Sequence, residues 1–368
     1  MSSTCSYRGS AEELSNSTAI TVPAPVGRES ICVRMAACVC TLAVVIVALV
    51  VSTPVGSAQT GGGQQRGFAL PTWQVNGYDG PDVEQSLREI KTLGATWVEL
   101  TPTWYQQNRH SNEIYRSSGT VSDAGLIRAI DLAHGVGLKV FLKPHVDLPV
   151  PGQDSRNNIS PENRDVWFAA YQQFIRHYAD IAQSQGVEQF AMGTELSTIS
   201  SDRARWLPVI GTVRERYSGV VLYAAGRDYA TVAFWDALDM IGIDAYLPLG
   251  TTPTTDVAML KQAWSGAVSE LADMSARYGL QVVFTEAGYT SQLGTTTDPS
   301  NWRISRTISE DEQAAAYQAL LATFTEQPWW AGVYWWVWIT PPYRDAEAHD
   351  FSPKGKQAEQ VIRQWWAT

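Results

Sequence analysis

The chain has 368 residues, 45% hydrophobic, 11% aromatic and only 17% charged, which supports a large core and excludes a disordered polymer. Its net charge of -10 argues against a broad surface for nucleic acid or anionic membrane. All four cysteines, Cys5, Cys32, Cys38 and Cys40, lie near the start, so the body has none for a disulfide or a thiolate metal site.

Residues 1–30 read as a polar leader, and Met35 offers a later start. Residues 31–58 hold the apolar stretch Leu42–Val51, then Pro54 and the small residues Gly56-Ser57-Ala58. A core of this length suits an export signal cut after Ala58; the alternative is an uncleaved signal anchor. Either way the body is expected outside the cytoplasm, secreted or held to the membrane by this segment alone. Residues 59–66, with Gly61-Gly62-Gly63, read as a flexible tether.

From residue 67 to 368, short apolar runs alternate with longer amphipathic stretches. The runs are Phe68–Trp73, Thr96–Thr103, Lys139–Pro144, Gln189–Gly193, Val220–Ala225, Met240–Tyr246, Gln281–Thr285 and Gly332–Ile339. Between them the pattern predicts helices over Val83–Leu93, Ala124–Val136, Val166–Gln185, Ala204–Tyr217, Val257–Tyr278 and Glu312–Gln327, with a last one over Lys356–Trp366. Only Tyr229–Ala237 is a helical candidate after the fifth run. Ser122, Ser160 and Ser309 precede acidic first-turn residues as caps, and Gly94, Gly137, Gly186 and Gly279 close helices. Strand and helix in eightfold alternation predict one (β/α)8 barrel. An open doubly wound sheet is the rival, but the Gly-rich phosphate loop it usually carries after the first strand is absent.

In such a barrel, reactive residues stand at the C-terminal ends of the strands. The fourth run ends in Gly193-Thr194-Glu195-Leu196 and the seventh in Thr285-Glu286-Ala287-Gly288. Two carboxylates three βα units apart converge across the mouth. Such a pair suits glycosidic cleavage: one protonates the leaving oxygen and the other, ionised, attacks the anomeric carbon. A salt-bridging role at the strand end explains one such Glu more easily than two. No H-E-x-x-H, Walker loop or Gly-x-Ser-x-Gly occurs, and the five histidines are scattered, so no metal or cofactor is expected.

The body resembles glycoside hydrolase family 113, in the clan of retaining (β/α)8 enzymes known mainly, in this family, for β-mannanases. The resemblance rests on Thr101-Pro102-Thr103-Trp104-Tyr105-Gln106, Ser111-Asn112-Glu113-Ile114-Tyr115-Arg116, Leu142-Lys143-Pro144-His145-Val146, Gly193-Thr194-Glu195-Leu196, Thr285-Glu286-Ala287-Gly288-Tyr289 and Trp335-Trp336-Val337-Trp338. It implies Glu195 as acid/base, Glu286 as nucleophile and a polysaccharide or oligosaccharide of β-1,4-mannose as substrate. Much of the clan has Asn where this chain has Thr194, a shorter reach toward the sugar 2-OH. Tyr246, at the end of the sixth run, is expected to donate to Glu286. His145, with Lys143 on the same strand face, is expected to bond a sugar hydroxyl or tune Glu195. Trp338 and Trp104 are the expected sugar platforms, with Trp73 a lesser one, while Trp335 or Trp336 packs between barrel and helices. A β-glucanase, β-glucosidase or transglycosylase would keep the mechanism, and a non-catalytic carbohydrate-binding barrel would keep only the fold. Pro149–Ile159 and Thr290–Ser309 are the loops able to close the cleft.

Overall fold

The computed structural model describes residues 63–149, 154–339 and 349–367; the leader, the segment 31–58 and residues 59–62 of the tether lie outside them. Eight strands form where the apolar runs predict them: β1 (Gln65–Ala69), β2 (Trp97–Leu100), β3 (Lys139–Leu142), β4 (Gln189–Thr194), β5 (Val220–Ala225), β6 (Met240–Asp244), β7 (Val282–Ala287) and β8 (Trp330–Trp335). Neighbouring strands are parallel throughout, and β1 pairs with both β2 and β8, which closes the ring. The chain is thus the (β/α)8 barrel that the alternation demands. Two further short strands, Thr103–Tyr105 and His145–Asp147, pair in parallel above β2 and β3 and raise that side of the rim.

Helices α1 (Asp82–Thr92), α2 (Asp123–Gly135), α3 (Arg164–Ser184), α4 (Arg203–Arg214), α5 (Val257–Ala263), α6 (Ser265–Tyr278), α7 (Glu310–Phe324) and α8 (Gln357–Trp366) surround the strands. Between β5 and β6 there are only two 3-10 turns, Tyr229–Thr231 and Trp235–Ala237. The stretch expected as one helix over Val257–Tyr278 breaks at Trp264, whose buried ring packs edge-on to Phe324. Ser122 caps α2 by accepting from the Gly125 N–H, as expected. Ser160 does not cap α3; Asn163 does, accepting from the N–H groups of Asp165 and Val166. Ser309 stands at the N-cap of α7 without a side-chain cap bond.

Strand boundaries differ from the apolar runs at both ends of the chain. β1 takes in Gln65 and Arg66, which composition assigns to the tether, and it stops at Ala69. Arg66 is tied down by donating Nη1 to the Trp366 carbonyl at 3.0 Å. β8 starts earlier and ends at Trp335, so Trp336 and Trp338 lie beyond the strand.

Inside the ring, alternate residues meet in layers. Trp97, Phe141, Ala191, Leu222, Met240, Val283, Ala331 and Tyr334 form one buried apolar cluster. Gly67 admits this layer, since a Cβ there would stand 2.2 Å from the Tyr334 ring. Two residues further along β2, and likewise beyond β3 and along β7, the same inward positions carry Glu99, Lys143 and Thr285, with Asp244 ending β6. A charged layer therefore lies on top of the apolar one, directly beneath the mouth.

Candidate active site

Lys143 is the centre of the charged layer. Its side chain is wholly buried, and its ammonium stands 2.6 Å from Glu286 Oε1, 3.1 Å from Asp244 Oδ1 and 3.4 Å from Glu99 Oε1. It also donates to the Thr285 carbonyl at 3.4 Å, and the Thr285 hydroxyl donates to Asp244 Oδ1 at 2.7 Å. The other Glu286 oxygen, Oε2, accepts from the Tyr246 hydroxyl at 2.7 Å. Both oxygens of Glu286 are thus fixed by donors from different strands. One ammonium among three carboxyl groups leaves excess negative charge in a buried place, so protons must be retained. Burial holds Glu99 and Asp244 well above the ordinary carboxylate range against the pull of Lys143, joined by the charges of Glu286 and Asp244 for Glu99 and of Glu286 and Glu195 for Asp244.

Glu195 follows β4 directly, with φ of 50°, the sole positive φ of a non-glycine among the described residues. Side chains rarely enter this region, and the neighbours impose it here: the Glu195 N–H donates to the Ala224 carbonyl at 2.8 Å, and the Leu196 N–H to the Tyr223 hydroxyl at 2.8 Å. The turn sends the carboxylate toward the loop after β3, where Arg156 Nη1 donates to Oε2 at 3.0 Å. Arg156 grips Asp147 with its other nitrogens, at 2.9 and 3.0 Å. Burial pushes Glu195 above the ordinary carboxylate range, Arg156 pulls it back, and the charge of Glu286 pushes it up again. Glu195 therefore feels the charge of Glu286 across the mouth.

His145 and Thr194 fill the space between these groups. Both are buried, and His145 Nε2, Thr194 Oγ1 and both Glu99 oxygens find no hydrogen-bond partner among the described residues. Burial, then the charges of Arg156 and Lys143, hold His145 well below its ordinary value, so it is neutral. Glu99, His145 and Glu286 bring ligand-type atoms within 4.8 Å of one another. Lys143 already supplies the cation for two of the three, so the arrangement reads as an ionic network rather than as a metal centre.

The aromatic expectations divide. Trp104 is not at the mouth. On the rim strand Thr103–Tyr105 it alternates with Thr103 and Tyr105, and its ring turns outward onto α3. There Nε1 donates to the Tyr178 hydroxyl at 2.8 Å, and Phe174 lies edge-on at 5.5 Å. Trp338 is also displaced, because β8 ends three residues before it. It is 2% exposed, packs edge-on to Phe68 at 5.2 Å and donates Nε1 to Glu89 of α1 at 3.3 Å. Trp335 stacks on Tyr317 of α7 at 4.0 Å, as a wall residue should. Half-buried Trp336 lies beside the end of β7, with its carbonyl 2.5 Å from where a Gly288 Cβ would be. Its ring centroid is 6.3 Å from that of exposed Trp73.

Sequence reasoning did not assign Glu99, Asp147, Arg156 or Trp336 to the site. Glu99 had a visible signal, an acid inside an apolar run at the same parity as Trp97. Arg156 had none beyond its place in a loop read as a cleft wall.

Known proteins bear out the architecture and indicate a chemistry. The profile of Glycoside Hydrolase Family 113 matches residues 70–356. A solved GH113 β-1,4-mannanase, determined as a complex, is similar over 83% of this chain and 100% of its own, at 28% identity and a TM-score of 0.75. A GH113 β-mannanase from Alicyclobacillus acidocaldarius in complex with ManMIm is similar over 83% and 98%, at 27% identity and the same TM-score of 0.75. A GH5_18 protein from Bifidobacterium longum, solved with Manβ1-4GlcNAc, shares the fold at 14% identity and a TM-score of 0.57. The comparison with curated proteins found no match.

Proposed function

Since the chain belongs to glycoside hydrolase family 113 and is a glycoside hydrolase, we propose that it cleaves β-1,4-mannosidic bonds of mannan or manno-oligosaccharides with retention, using Glu286 as nucleophile and Glu195 as acid/base. The observation that carries this reading is the different treatment of the two carboxyls. Glu286 is held by an ammonium at 2.6 Å and a phenol at 2.7 Å, which fix both of its oxygens in place for attack. Glu195 is raised by burial and by Glu286, which favours the form that donates a proton. The solved relatives named as β-1,4-mannanases support the choice of sugar.

In the first step Glu286 attacks the anomeric carbon, the bond to the leaving oxygen breaks, and the Glu195 proton goes to that oxygen. In the second, water attacks the same carbon and yields its proton to Glu195 while the bond to Glu286 breaks. Thr194 Oγ1 and His145 Nε2 have no hydrogen-bond partner among the described residues, but both atoms are shielded from solvent. Lys143 is wholly enclosed, and its role is to neutralise and orient Glu286 rather than to touch substrate. Trp336 and Trp73 take the place as indole surfaces that sequence position suggested for Trp338 and Trp104. We further propose, from residues 31–58, that the barrel works outside the cytoplasm.

Substitution separates the two roles. Glu195→Ala should lose about a hundredfold to ten-thousandfold in turnover and, given azide, form a β-glycosyl azide. Glu286→Ala with azide and an activated substrate should form the α-azide. Reducing-sugar release from mannan, glucomannan, cellulose and xylan, with the anomer followed by NMR, fixes substrate and stereochemistry. Near-parent activity of both variants on every β-glycan would overturn the assignment.

A further inference from the structure

The loop between β7 and α7 is held as a rigid frame. Glu312, 1% exposed, accepts from the N–H groups of Gly294 and Thr296 at 2.8 and 3.0 Å and from the Thr296 hydroxyl at 2.7 Å. Gln292, wholly buried, donates to the Trp302 carbonyl at 2.9 Å and accepts from the Ser305 N–H at 3.0 Å. A bridge between Gln292 and Ile308 closes the frame. Yet the tryptophan whose backbone it fixes is 46% exposed, with the Arg303 guanidinium 3.8 Å from its ring centre. Indole is normally placed where it buries area. A ring left in water on a backbone pinned by a buried polar side chain is placed for contact with something else.

Its location says what. Arg227, which follows β5, donates to the Tyr246 carbonyl at 3.2 Å and reaches Ser300 at 3.5 Å and Asp298 at 3.6 Å on this loop. Its neighbour Gly226 lies against Glu195, since a Cβ there would stand 3.4 Å from Oε1. The Trp302 loop is therefore anchored at the mouth through the end of β5, whose Gly226 lies against Glu195, the group that would protonate the departing half of the glycan.

We propose that Trp302, with Arg303 on its ring, is a platform for a sugar of the leaving-group half of a β-linked glycan, outside the sugar next to the cleaved bond. This rests on the glycosidase reading above. A pyranose lays its apolar C–H face on the open part of the indole, and the guanidinium supplies donors for its hydroxyls.

The test compares Trp302→Ala and Trp302→Phe with the parent on mannan, on mannohexaose and on an aryl β-mannoside whose leaving group is one ring. Trp302→Ala should raise KM for the two glycans about fivefold and leave the aryl mannoside within about twofold. Trp302→Phe should recover most of the loss, and the thermal midpoint should not move. Unchanged KM on the glycans, or equal losses on all three substrates, would overturn the platform. If the parent cleaves no β-glycan, the glycosidase reading fails instead. Retardation of mannan in an affinity gel, kept by the parent and lost in Trp302→Ala, then still supports the platform, and equal retardation overturns it.

Discussion

Arg156 faces a conflict at the residue scale: it is ion-paired to a carboxyl that must enter the reaction protonated. Burial raises Glu195 and the guanidinium opposes it, so the pair sets the pH at which the acid is lost. Activity requires the proton and disappears as pH rises through the Glu195 pKa. Arg156→Leu removes the foremost downward pull, while Glu286 continues to push upward and Lys143 to pull weakly down. The basic limb of kcat/KM should therefore move to higher pH. The pH profile on a manno-oligosaccharide, whose leaving sugar oxygen needs the proton, reads this directly. A basic limb that stays in place, or moves to lower pH, would show that the ion pair does not govern the acid.

At the scale of elements, the start of α3 shows how a local signal can be real and misplaced. Ser160-Pro161-Glu162 has the composition of a helix start, but the cap bonds come from Asn163 Oδ1, at 3.1 Å to Asp165 and 3.2 Å to Val166. Asn163→Ala should cost about 1 kcal/mol, read as a lower denaturant midpoint, and Ser160→Ala much less. Equal effects would return the helix start to the serine. The same tension explains what could be read beforehand. Eight strands were legible as apolar runs, four of them following a helix-closing glycine, and Glu195 and Glu286 were legible because they stand at the ends of two of these runs. Trp338 misled because the apolar run outlasts the strand: β8 ends at Trp335, and the Trp338 ring packs on Phe68 and α1 rather than over the mouth. Trp104 misled because its side of a three-residue rim strand is set by pairing with His145–Asp147, which no local pattern encodes. Arg156 meets Glu195 across 39 positions through a loop, so only the folded chain brings them together.

For the molecule as a whole, the charged layer is a liability in stability that the site requires. A barrel filled with apolar layers needs no protons, whereas this one holds Glu99, Asp244, Lys143 and Glu286 beneath its mouth. Glu99 is wholly buried and its carboxyl stays protonated far above its ordinary value of 4.5. An unfolded chain gives up that proton once the pH passes 4.5, so the folded state binds more protons than the unfolded one and loses stability as pH rises toward the folded pKa. His145 acts in the opposite sense: it is buried neutral, and its contribution is lost as pH falls below its ordinary 6.5. Glu99→Gln keeps the shape and removes the titration. His145, Asp244 and Glu195 are present in both parent and variant, so the difference between the two reads Glu99. Above pH 4.5, and until the folded pKa is passed, the parent's unfolding free energy should fall relative to the variant's, by up to about 1.4 kcal/mol per pH unit. Chemical denaturation at a series of pH values measures both slopes. Parallel slopes would mean that Glu99 is already ionised in the folded barrel, with Lys143 shared between two negative carboxylates rather than given to Glu286.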